Sequence, residues 1–119
     1  MQREILFYKT ANDKCPVEEF LDTLTAKAVQ KVAWVLRLLV QLERVPSQYF
    51  CKMEGTDDIW ECRIKFGSDI YRIYAFWDAN QIILTHGFIK KSQKAPHREM
   101  EKAEEYKKDY WQRKRIDKT

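Results

Sequence analysis

The chain has little glycine, proline or cysteine, three of each in 119 residues. So few chain breakers, together with 45% hydrophobic, 13% aromatic and 34% charged residues, exclude the low-complexity and disordered classes and leave enough apolar material for a core. At this length one domain spanning residues 1–119 is expected. Cys15, Cys51 and Cys62 are odd in number, lack C-x-x-C spacing and have no histidine cluster beside them. That excludes a disulfide framework and a zinc site and points to structural thiols in the cytoplasm. Long apolar runs are also missing: the longest, Val32 to Leu42, is 11 residues interrupted by Arg37 and Gln41, where a membrane span needs roughly 20. The opening MQREILFYKT has neither the apolar length nor the cleavage site of an export signal, so no membrane or secretory role is expected. No P-loop, GxGxxG, HExxH or GxSxG motif occurs, and Asp57–Asp58 sits in a turn cluster where Asp serves the backbone. Nothing calls for a cofactor or a metal.

What is present is basic charge in one place. The net charge is +4. Residues 86–119 hold 11 Lys/Arg against 6 Asp/Glu, or +5, and residues 1–85 hold 11 against 12, or −1. A basic concentration beside aromatic residues suits a phosphate backbone, although solvated basic helices are common elsewhere.

Hydrophobic periodicity gives the order β-α-α-β-β-β-α. Glu4–Lys9 reads as a strand, and Pro16 opens a short helix to about Leu24 with Glu18 and Glu19 in its first turn. From Ala26 to Glu43, Val29, Val32, Ala33, Leu36, Leu39 and Val40 recur at helical spacing, with Trp34, Val35, Leu38 and Leu42 widening the stripe. The period then changes to two. Ile59–Phe66 alternates Trp60, Cys62, Ile64 and Phe66 against Glu61, Arg63 and Lys65; Gly67-Ser68-Asp69 turns into a strand Ile70–Trp77, and Gln81–Ile89 completes a meander. Pro96 opens a last helix to about Arg113, whose Met100, Ala103, Tyr106, Tyr110 and Trp111 make a thin apolar stripe. Two N-terminal helices on one face of a small, mostly antiparallel sheet make an α+β domain with the other face open.

The candidate site is basic: Arg63, Lys65, Arg72, Lys90, Lys91, Lys94, His97 and Arg98. If Trp60, Cys62, Ile64 and Phe66 face the helices, Arg63 and Lys65 face the open side, where Arg72 can join them beside Ile70, Tyr74 and Phe76. Cations beside exposed rings suit single-stranded RNA. The same alternation describes the solvated face of an ordinary strand equally well. Of the two histidines, His86 reads as a hydrogen-bonded structural residue, and His97, beside the lysines at a helix start, is the one placed for proton transfer.

Residues 52–103 carry Gly55-Thr56, then Trp60-Glu61-x-Arg63-Ile64, Tyr71-Arg72-Ile73-Tyr74, His86-Gly87-Phe88-x-Lys90-Lys91, and Gln93-Lys94-x-Pro96 before Glu99. In this order and spacing they resemble the RelE/ParE toxins of bacterial toxin–antitoxin modules, in particular the phage-derived HigB-like branch. The resemblance implies a RelE-like fold and a type II toxin that cuts mRNA on the ribosome and halts translation, with ParE-like inhibition of DNA gyrase as the alternative. A non-catalytic nucleic-acid-binding regulatory module is the third possibility. It further implies mRNA, the ribosome and a cognate antitoxin, expected to be a small helix-turn-helix protein, as partners. Laid on the RelE pattern, Arg63 and Lys65 fall on its paired basic strand positions, Arg72 on the arginine of its Tyr-Arg motif, Lys91 on its later arginine and His97 on its tyrosine. The implied roles are Arg63, Arg72 and Lys91 for phosphate charge, Lys65 as general base and His97 as general acid. Lys90, Lys94, Arg98 and Tyr74 would bind RNA, and the products would be 2',3'-cyclic phosphate and 5'-OH ends.

Overall fold

The sheet is built around two long neighbouring strands in a computed structural model that describes residues 3–90 and 96–117. In chain order the elements are β1 (Glu4–Phe7), α1 (Pro16–Asp22), α2 (Ala26–Gln41), β2 (Phe50–Lys52), β3 (Trp60–Phe66), β4 (Asp69–Asp78), β5 (Gln81–Ile89) and α3 (His97–Asp117). The strands lie in the order β1-β5-β4-β3-β2, with β1 parallel to β5 and the other pairs antiparallel. The α+β architecture matches the periodicity, with one strand more than the pattern gave. β2 is only three residues and pairs Phe50 with Cys62.

Local chemistry explains the helix starts. Pro16 occupies the first turn of α1 without a missed hydrogen bond, and Thr25 caps α2 by accepting from the Ala28 amide at 3.2 Å. The buried line of α2 is Ala28, Val32, Val35 and Leu39. Val35 therefore belongs to the core and Ala33 to the surface, a rotation from the stripe read in the sequence. The α1 and α2 side chains pack with Cys62, Ile64, Ile73, Ala75, Ile82 and Leu84 on one face of the sheet. Gly67, at φ 62°, supplies the left-handed residue that joins β3 to β4.

The opposite face is not open along its whole length. Tyr74 and Phe76 alternate with Ile73 and Ala75, and α3 lies over them. Phe76 packs with Tyr8 and Ile83 beneath Tyr106, Tyr110 and Trp111, and Tyr74 packs with Ile59 and Ala103 beside Met100. Polar contacts add to that thin apolar stripe. The Tyr8 hydroxyl donates to Asp109 and the Tyr110 hydroxyl to Asp78, each at 2.5 Å. A bulge between Tyr74 and Ala75 opposite β5 keeps His86 and Ile83 both on the α3 side. Among the described residues only the end of the face carrying Ile70 and the basic residues stays uncovered. Among the described residues no helix is long and apolar enough to cross a membrane.

Candidate nucleic-acid interface

Register sets the geometry of the basic end. On β3, Cys62 and Ile64 are buried toward α1 and α2, so Glu61, Arg63 and Lys65 point to the other side. Across the hairpin Arg63 stands directly opposite Arg72, and Glu61 opposite Tyr74. On the next strand Phe88 is opposite Arg72. Two like charges in a cross-strand pair repel. Here a carboxylate separates them: Glu61 Oε1 accepts from Arg63 Nε at 2.7 Å, and Oε2 pairs with Arg72 Nη1 at 2.5 Å. Glu61 is 1% exposed and Arg72 5%, whereas the Arg63 side chain is 43% exposed.

Arg63, Lys65, Ile70 and Arg72, with Gln48 and Tyr49 from the chain entering β2, line an open groove of about 370 Å³. Lys90 follows β5, its amide donating to the Ile70 carbonyl at 3.1 Å. Partial burial and then the Arg72 guanidinium push its ammonium below the usual lysine range, while Glu61 pulls the other way. Arg63, Lys65, Arg72 and Lys90 against Glu61 give four positive charges and one negative, a net +3. That concentration of donors attracts a phosphodiester.

The other sequence-derived candidates fall in different places. Tyr74 is fully buried under α3, its hydroxyl without a hydrogen-bond partner among the described residues, and burial with the Glu61 charge raises its pKa to about 12. It is not the exposed stacking ring the strand alternation suggested, because α3 occupies that position. Phe76 is buried for the same reason, so the aromatic wall of the groove is Tyr49, not Tyr74 or Phe76. His97 is the first residue of α3, its side chain 86% exposed and its Nε2 2.7 Å from Glu101 Oε1. Arg98 beside it is exposed. Met100, three residues on, packs on the cluster of Tyr74 and Phe88, so the first turn of α3 stands at the boundary between the covered and uncovered parts of the face. Lys91 and Lys94 lie outside the described residues.

Glu61 is the residue the sequence reading passed over. Its signal was available: it is the one carboxylate on the charged face of β3, two residues from Arg63. No group of three or more metal-ligating side chains occurs among the described residues.

No curated protein matches the sequence. The chain is similar to a solved structure, the archaeal RelE–RelB complex from Pyrococcus horikoshii OT3, at 17% identity and a TM-score of 0.45 over 80% of this chain and 100% of that one. The family model for phage-derived Gp49-like proteins matches residues 19–108, three-quarters of the chain and all of the basic hairpin. The chain belongs to this phage-derived Gp49-like family, a family of RelE-like toxins.

Proposed function

We propose that this RelE-type toxin is a ribosome-dependent mRNA endonuclease of HigB-like type. The observation that carries the reading is the opposed pair Arg63 and Arg72, which share one groove with Lys65 at the uncovered end of the sheet. RNA supplies its own nucleophile. The 2'-OH attacks the adjacent phosphorus once a base takes its proton, charge accumulates on the non-bridging oxygens, and an acid protonates the departing 5'-oxygen. Arg63 and Arg72 answer the phosphate charge, and Lys91 is assigned to the same task. The neutral amine form of Lys65 takes the 2'-OH proton. Lys90, with its ammonium already weakened by burial and Arg72, is the second candidate for that step. His97, paired with Glu101, donates to the leaving oxygen. Lys90, Lys94 and Arg98 extend the phosphate track, and the products are 2',3'-cyclic phosphate and 5'-OH ends.

An antitoxin, proposed to be a small helix-turn-helix protein, keeps the groove blocked in the cytoplasm of the host. The test is expression of the toxin alone in a bacterium with pulse labelling. Protein synthesis should fail before DNA synthesis. Early loss of DNA synthesis with double-strand breaks would favour gyrase as the target instead.

A further inference from the structure

Glu61 has an unusual position for a carboxylate in a site that must attract phosphate. It sits on the groove face of β3 at 1% exposure, where it cancels one of the positive charges the groove needs. A buried charge persists only when paired, and each of its oxygens faces a guanidinium: Oε1 accepts from Arg63 Nε, and Oε2 is ion-paired with Arg72 Nη1 at 2.5 Å. Arginine has five N–H donors, so a guanidinium held along one edge keeps others for a phosphate. Without the carboxylate, the two opposed arginines would repel each other and Arg63, already partly exposed, would swing into solvent.

We propose that Glu61 is a positioning residue, clamping Arg63 and Arg72 side by side so that both can contact one phosphate. The inference rests on the nuclease reading. It makes an asymmetric demand on the kinetics. Loss of the clamp removes a negative charge from beneath the groove, so RNA affinity holds or tightens. The guanidiniums lose their alignment with the charge that develops in the transition state, so the cleavage step slows. A residue that only supported the fold would lower binding, rate and melting temperature together.

The experiment compares wild type, Glu61→Gln and Glu61→Asp as full chains in single-turnover cleavage of mRNA on programmed ribosomes. Ribosome affinity, melting curves and the ¹⁵Nε–H resonances of the arginines are measured in parallel. In wild type the Arg63 Nε–H should be ordered and slow to exchange with water. Glu61→Gln should lose that signal, bind at least as tightly as wild type and cut about 100-fold more slowly, the loss typical of a misplacement of about 1 Å. Glu61→Asp keeps the charge with a shorter reach and should recover part of the rate, and it carries the comparison if Glu61→Gln does not fold. Cleavage by both variants within threefold of wild type, or binding and rate falling in proportion, overturns the inference alone. A wild type that cuts no message overturns the nuclease reading and the inference with it.

Discussion

Acidification from pH 7 to pH 4 should weaken the fold through one buried imidazole. His86 is 4% exposed. The Thr85 hydroxyl donates to the Tyr74 carbonyl at 3.0 Å, so its oxygen is left to accept from His86 Nδ1 at 3.1 Å. The proton of the neutral ring is therefore on Nδ1. Nε2 keeps a lone pair with no hydrogen-bond partner among the described residues, 3.5 Å from Glu99 Oε1. Lys14, Glu19, Lys102 and Tyr106 are among the residues lining the surrounding cleft. Burial, and then the Lys102 ammonium, push the His86 pKa down to about 4. In the unfolded chain the ring titrates near its ordinary value of about 6.5. Between these two values the unfolded state takes up a proton that the folded state refuses, so stability falls as the pH drops from about 6.5 to about 4 and levels off below. A window of about 2.5 pH units at about 1.4 kcal/mol per unit gives roughly 3 kcal/mol. Other carboxylates also titrate in acid, so the magnitude is read as a difference. Urea unfolding followed by tryptophan fluorescence at pH 7, 6, 5 and 4 should show a slope about 1.4 kcal/mol per pH unit steeper for wild type than for His86→Gln. Parallel curves for the two proteins would refute the buried neutral ring.

Gly87→Ala should destabilise the fold by about 2 kcal/mol, as overpacking does, because a Cβ there would sit 2.3 Å from Cδ2 of the core residue Phe20. Thermal melting should show the loss, and Phe20→Leu should give part of it back in the double variant. His97→Gln should leave the melting curve and ribosome binding unchanged, because the side chain is 86% exposed, while the cleavage step slows about 100-fold to 10,000-fold as for loss of a general acid. Single-turnover rates within a few-fold of wild type would move the proton donor elsewhere.

Much of the fold was legible because β3 has only one apolar parity. Cys62 and Ile64 had to face α1 and α2, which put Arg63 and Lys65 on the other side without any tertiary knowledge. β4 is apolar on both parities, so its pattern could not say whether Tyr74 and Phe76 were open or covered. The covering depends on where α3 docks, and that is decided by Tyr8, Ile59 and Ile83 on distant segments. The pattern does not fix the phase of α2, because apolar residues surround more than half of that helix. β2 has three residues, too few for a period. The role of Glu61 depends on strand register: its local partner Arg63 could be seen two residues away, but Arg72 reaches it only across the hairpin. The buried state of His86 depends likewise on the bulge in β5 and on α3 above it.

Whether the groove of Arg63, Lys65 and Arg72 cuts RNA is read from end-group analysis after single-turnover reaction on programmed ribosomes. The expected result is a break in the message at the ribosomal A site, with a 2',3'-cyclic phosphate on one fragment and a 5'-OH on the other, lost in Arg72→Ala. An intact message, or fragments carrying 5'-phosphate ends, would contradict the account.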